Sequence, residues 1–181
     1  MSQAANPQGV ATSDEVELDF SSPSEDAADA LSRDQVMVRS MHADDLPALL
    51  AIDRAITHDE GRAEYLTHQF NEAMDHAGVR VSLVAEGEAG QPVGFMMARV
   101  DFGEFGRTEP EAVMDTLGVD PLYGHAGVGS ALMSQLLANL RTLRVDTVRT
   151  GVRWNDYSLL HFLEACGFRP SQHLALRKRL A

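Results

Sequence analysis

The stretch that most constrains what this chain can fold into runs from Leu117 to Leu143. It reads Leu117-Gly118-Val119-Asp120-Pro121-Leu122-Tyr123-Gly124-His125-Ala126-Gly127-Val128-Gly129-Ser130 and continues as an apolar-periodic run. Val128, Leu132, Leu136, Leu140 and Leu143 recur at helical spacing, with Ser130 and Ser134 marking a second, polar stripe. The pattern predicts a strand end, a proline-bearing bend, a glycine-rich turn and the first turn of a helix. Such a junction leaves several backbone N–H groups unpaired at the positive end of the helix dipole, which suits a phosphate or pyrophosphate. The glycine spacing is G-x-x-G-x-G, not the dinucleotide fingerprint G-x-G-x-x-G, and no lysine follows to make a P-loop. A glycine-rich strand-to-helix turn with no ligand is the plainer alternative.

At 181 residues, 44% of them hydrophobic, the chain fits one domain with enough apolar material for a core. Its single cysteine, Cys166, excludes an intrachain disulfide and points to a reducing compartment. No apolar run approaches the roughly 20 residues of a membrane span, and the N-terminus lacks the order of a signal peptide, so a cytoplasmic location is expected. The net charge of -12 is unevenly placed. Residues 1–34 hold eight acids and one arginine, residues 35–120 sixteen acids and six arginines, and residues 121–181 three acids and eight basic residues. A basic C-terminal part suits an anionic cofactor, and an acidic middle suits a cationic acceptor such as an amine. The overall sign disfavours nucleic acid as the main partner.

In chain order, residues 1–34 are polar and acidic without apolar periodicity and are expected to be a disordered tail. Val16, Leu18 and Phe20 alternate with acids there, which leaves a partner-binding or autoinhibitory role open. Residues 35–181 read as the folded domain. Val36 and Val38 suggest a first strand, and a helix with Pro47 in its first turn buries Leu46, Leu49, Leu50 and Ile52. A second helix is expected from Asp59 to Ala77. Strands follow at Val79–Glu86 and Val93–Phe102, then a loop through Glu104, Phe105 and Arg107, then a strand at Glu111–Val119. If alternation holds in that strand, Val113, Asp115, Leu117 and Val119 share its inward face. A carboxylate among them must either be hydrogen-bonded for structure or stand near reacting groups. Asp146–Val152 reads as a further strand and His173–Leu180 as the last.

The Leu117–Ser130 segment resembles the phosphate loop of the GNAT superfamily, the acyl-CoA-dependent N-acyltransferases, V-x-P-x-Y-[RQ]-x-x-G-x-[GA] ahead of a helix. Val119, Pro121, Tyr123, Gly127 and Gly129 match in register, and Gly124 stands where the family usually has Arg or Gln. A second signature, N-x-x-A-x-x-x-Y-x-x-x-G-F, is similar to Asn155 through Phe168, with one extra residue before Gly167 and with Leu163 at the tyrosine. The resemblance covers about residues 35–181. It implies an α/β (α+β) fold: a mixed, mostly antiparallel sheet flanked by helices, opened by one strand and two helices. It also implies acetyl-CoA as co-substrate, a primary amine on a small molecule or a protein as acceptor, and direct attack in a ternary complex.

The same resemblance implies roles. Leu117, Gly118, Val119, Gly124, His125, Ala126, Gly127, Val128, Gly129, Ser130 and Asn155 would bind the carrier, Asn155 through the pantetheine arm. Glu104, Phe105 and Arg107 would border the acceptor, with Asp53, Glu60, Glu64 and Tyr65 as further recognition candidates. An attacking amine must lose its proton, and a lysine-type amine has a pKa of about 10.4. Asp115 is the expected base, with Glu111 and Glu104 in reserve. Leu163 cannot act as an acid. Tyr157 or a water would protonate the thiolate, which leaves tolerably because a thiol pKa is roughly 8.5. No metal is expected: His58, His68 and His76 do not form a short ligand pair, and Cys166 reads as packed. A homodimer is left open. The alternative function is a non-catalytic acyl-CoA-binding regulatory module, motivated by Gly124 and Leu163.

Overall fold

The computed structural model describes residues 36–59, 61–75, 78–102, 109–172 and 175–180. The acidic tail and the loop holding Glu104, Phe105 and Arg107 lie outside the described residues. The strands and α-helices among these residues follow in order: β1 (Met37–Ser40), α1 (Leu46–Thr57), α2 (Arg62–Met74), β2 (Arg80–Glu86), β3 (Pro92–Asp101), β4 (Glu111–Val119), α3 (Val128–Thr142), β5 (Val148–Thr150) and α4 (Tyr157–Ala165). The sheet order is β1-β2-β3-β4-β5. The first four strands are antiparallel neighbours, and β5 joins β4 in parallel.

Helices cover both faces. Leu49, Ile52, Leu66 and Phe70 of α1 and α2 pack with Val84, Phe95 and Met97 of the sheet. On the other face Val128, Leu132, Leu136 and Leu140 of α3 and Leu163 of α4 pack with Val81, Leu83, Met96, Ala98 and Met114. The periodic residues of α3 and the alternating residues of β2 thus meet as their spacing requires. Phe95 is fully buried, and the absence of a side chain on Gly118 makes room for its ring: a Cβ there would stand 2.5 Å from a Phe95 ring carbon.

Two expectations are corrected. In β4, Thr116 pairs with Met97 and Met114 with Ala98, so Asp115 is an extra residue with no partner on β3. This β-bulge reverses the alternation: Ala112 and Met114 face the α3 side before it, Leu117 and Val119 after it. Val113 and Asp115 therefore do not share a face with Leu117 and Val119. The expected closing strand is also missing: residues 175–180 make no strand pairing, while residues 173 and 174 lie outside the described residues. The second helix is shorter than expected, ending at Met74, and β5 spans only three residues.

An ion-pair cluster ties β1 to its neighbours. Both Nη atoms of Arg39 donate to Asp45 at 2.8 Å, its Nε donates to Glu86 at 2.6 Å, and the His42 N–H donates to Asp45 at 2.7 Å. The Arg39 guanidinium, bonded to the buried Asp45, holds that carboxyl below its ordinary value.

Two outcomes follow. Gly118→Ala forces the buried ring or β4 to move and should lower unfolding stability by about 1–3 kcal/mol in urea titrations. Because the folded-state pKa of Asp45 is depressed, its stabilisation is present above about pH 4 and is lost as the pH falls through the lower folded value. In Asp45→Asn the urea midpoint should be lower at neutral pH and fall less between about pH 4 and pH 2 than in the parent chain.

Candidate active site

The glycine turn folds as its residues demand. Asp120 closes the end of β4 by accepting the Leu122 N–H at 2.9 Å, and Pro121 starts a short 3-10 turn through Tyr123. Gly127 has φ of 75°, the left-handed region, and serves as the N-cap of α3. Its carbonyl accepts the Ala131 N–H at 2.9 Å, the first intrahelical bond. The N–H groups of Val128, Gly129 and Ser130 lie ahead of it, where no helix carbonyl reaches them. Gly129 lets α3 approach α4: a Cβ there would meet the Phe162 ring at 3.3 Å. Gly124, with φ of -58°, has ordinary right-handed geometry, so nothing in the backbone requires glycine at this position.

Next to the turn the sheet splits. The ladder between β4 and β5 ends at Met114 opposite Thr150, whose hydroxyl donates to the Met114 carbonyl at 3.0 Å. Beyond it β4 runs on alone. Asp120 donates its N–H to Val93 of β3 at 2.9 Å. Antiparallel alternation then turns the Gly118 N–H toward β3 as well, and the Leu117 and Val119 N–H groups toward the gap beside β5. The gap opens into a cleft of about 790 Å³. One part is walled by Leu117, Gly118, Val119, the glycine turn and Ser130, facing Arg153, Asp156, Ser158, Leu159 and Phe162; another by Asp53, Ile56, Thr57 and Arg62 of the α1–α2 pair, with Asp115 and Thr116.

The cleft gathers most, but not all, of the expected residues. Leu117, Gly118, Val119, Gly124, His125, Gly127, Gly129, Ser130 and Asp115 line it. Ala126 is not in its lining, and its N–H is taken by the Tyr123 carbonyl at 3.1 Å. Val128 is likewise absent from the lining, its side chain being buried in the core. Asn155 and Tyr157 are outside the lining, and Tyr157 is 71% exposed at the start of α4. Leu163, at the family's tyrosine position, is buried at 4% exposure in the α3-side core. Among the described residues no group of three or more His, Cys, Asp or Glu side chains could hold a metal.

Two carboxylates of the lining carry arginine partners. Asp115 accepts from Arg99, which also donates to Asp101 at 3.0 Å, and this pairing raises the pKa of Arg99. Asp53, only 6% exposed, accepts from Nε and Nη2 of Arg62 at 3.0–3.2 Å, and Arg62 also stands 5.6 Å over the Tyr65 ring. Asp53, a recognition candidate from the sequence, lines the cleft, whereas its partner Arg62, Arg153 and Phe162 went unassigned, because α1, α2, β5 and α4 converge there only in three dimensions.

The family model described as the acetyltransferase (GNAT) family matches residues 42–168. The chain belongs to this family. A mycothiol acetyltransferase from Propionibacterium freudenreichii subsp. shermanii is 31% identical over 152 residues, 81% of this chain and 47% of that protein. The chain thus spans about half the length of that relative. Among solved structures, an aminoglycoside 6'-N-acetyltransferase from Acinetobacter baumannii superposes with a TM-score of 0.66 at 16% identity, covering 81% of this chain and 99% of the other. A transcriptional regulator from Bacillus halodurans C-125 superposes with a TM-score of 0.65 at 16% identity, covering 80% and 99%. At these identities the likeness shows the GNAT fold, which the split sheet and glycine turn of this chain also display. Among the described residues no helix is long and apolar enough to cross a membrane.

The two glycines of the turn should respond differently to the same change. Gly127→Ala imposes a left-handed backbone on a side chain and should cost about 1 kcal/mol of stability, whereas Gly124→Ala should shift the urea midpoint little.

Proposed function

We propose that this GNAT domain transfers an acetyl group from acetyl-CoA to a primary amine by direct attack within a ternary complex. The observation that carries the reading is the set of unpaired amides at the N-terminus of α3, placed at the wall of the cleft that opens where β4 leaves β5. The diphosphate would sit on the amides of residues 127–130, where the helix dipole favours negative charge. The pantetheine arm would enter between the strands, with the Leu117 and Val119 N–H groups replacing the missing ladder. An N–H aimed into this gap also meets the thioester oxygen as charge builds on it during attack, the general function of an oxyanion donor. None of these contacts depends on side-chain identity, so Gly124 in place of Arg or Gln lowers affinity without removing the site. Arg153, on the opposite wall, adds a cation near the carrier.

Asp115 is the base in this reading, taking the ammonium proton directly or through one water before the nitrogen lone pair attacks the carbonyl carbon. Its place on the bulge sets it where the strands diverge, and Arg99 fixes its orientation. The tetrahedral centre then collapses, the C–S bond breaks, and CoA leaves as a thiolate. With Leu163 buried and Tyr157 outside the lining, a water in this reading relays to the thiolate the second proton, which the attacking nitrogen sheds as the amide forms. Glu104, Phe105 and Arg107 remain proposed acceptor contacts from the sequence resemblance, and Asn155 a proposed contact to the arm.

The burial of Leu163 where the family's acid stands favours a second reading, a regulatory module that binds acyl-CoA without turnover. Calorimetry with acetyl-CoA and a thiol-release assay over an amine panel separate the two. Saturable binding with thiol release supports the enzyme, and binding without release with any amine supports the module. In the enzyme, Asp115→Asn should lower kcat by roughly 10²-fold or more while leaving acetyl-CoA affinity within about two-fold, as expected for loss of a general base.

A further inference from the structure

The α1–α2 end of the cleft carries a feature that carrier binding and proton transfer do not use. Asp53 is a buried carboxylate in the cleft wall, and its charge is balanced in place by Arg62 from the first turn of α2. Arg62 spends Nε and Nη2 on Asp53 and rests on Tyr65, which leaves Nη1 without a partner among the described residues while the side chain lines the cleft. A guanidinium gripped along one edge has its planar donor fork oriented before any ligand arrives. Asp115, in the same lining, is ion-paired with Arg99, which it shares with Asp101.

Among the described residues, the two carboxylates at this end of the cleft are thus already ion-paired, although the chain around it is strongly acidic. A polyamine would find carboxylates already paired and gain little Coulomb attraction. An amine on a hydroxylated skeleton would find oriented N–H donors for its oxygens, the remaining acceptor sites of Asp53, and the side chain of Thr57 beside them. We propose that Arg62, positioned by Asp53, reads a hydroxyl oxygen of the acceptor, and that the acceptor class is a polyhydroxylated monoamine of the amino-sugar type rather than a polycation. This rests on the acetyl-transfer reading for its reaction, but acceptor binding can be measured apart from it.

The test uses the full chain with glucosamine, spermidine and n-butylamine as probes. Thiol release is followed for each, and binding of each is followed by ligand-observed NMR in the presence of CoA. Glucosamine should exceed spermidine in kcat/KM by roughly ten-fold or more, the scale of one hydrogen bond to a charged group. Because Arg62→Gln alone leaves a buried carboxylate short of its partner, the double variant Asp53→Asn/Arg62→Gln is measured with it. Both should raise the KM for glucosamine roughly ten-fold while kcat, the KM for n-butylamine and acetyl-CoA affinity stay within about two-fold. Preference for spermidine, equal losses for glucosamine and n-butylamine, or no glucosamine binding by NMR would each overturn the proposal. If glucosamine binds, and binds more weakly to the double variant, but no amine releases thiol, acceptor recognition stands and the catalytic reading fails. Turnover confined to spermidine would do the reverse.

Discussion

One extra residue in β4 governs the geometry of this domain. A strand that kept its register past Met114 would keep turning the same parity of side chains toward α3 and would continue its ladder with β5. The unpaired Asp115 breaks both at one point. Past it, Leu117 and Val119 take over the core-facing positions that Ala112 and Met114 held, so the core stays closed, while their amides have no strand to pair with. An open sheet edge inside a fold is costly unless something else satisfies it. In the proposed reading an extended ligand arm does so.

The electrostatics follow a second rule, local pairing within a chain that is acidic overall. Asp45 and Glu86 meet Arg39, Asp53 meets Arg62, Asp115 and Asp101 meet Arg99, and Glu111 meets Arg149. Each of these six carboxylates thus has an arginine partner where it sits, with Arg39 and Arg99 each shared between two. The acidic surplus of residues 35–120 suggested a cationic acceptor, but composition counts charges without their neighbours. Arg39, Arg99 and Arg149 each reach an acid on another strand, so only the folded register reveals which charges are already paired.

The glycine turn and α3 were legible because their signals are local: glycine spacing, a proline bend and a 3.6-residue repeat need no knowledge of the rest of the chain. Both helices before β2 and the β2–β3 hairpin were legible for the same reason. The bulge was not, since Val113, Leu117 and Val119 are apolar whichever face they take and a parity switch leaves no mark in such a run. Residues 175–180 misled in the opposite way, alternating like a strand without a ladder to join. One wall of the cleft, made by β4 and the turn, was visible in the sequence. The opposite wall, with Arg153 and Phe162, and the Asp53–Arg62 pair depended on β5, α4, α1 and α2 arriving at one place.

Gly124 has a consequence of its own. It sits at the cleft in an ordinary right-handed conformation, with an added Cβ meeting nothing closer than the Pro121 carbonyl oxygen at 3.4 Å. Glycine there is a chemical choice and not a steric necessity. A side chain could therefore be introduced at this edge of the cleft by a single codon, with the scaffold beneath left untouched; in the proposed reading that would trade retention of the carrier against its exchange.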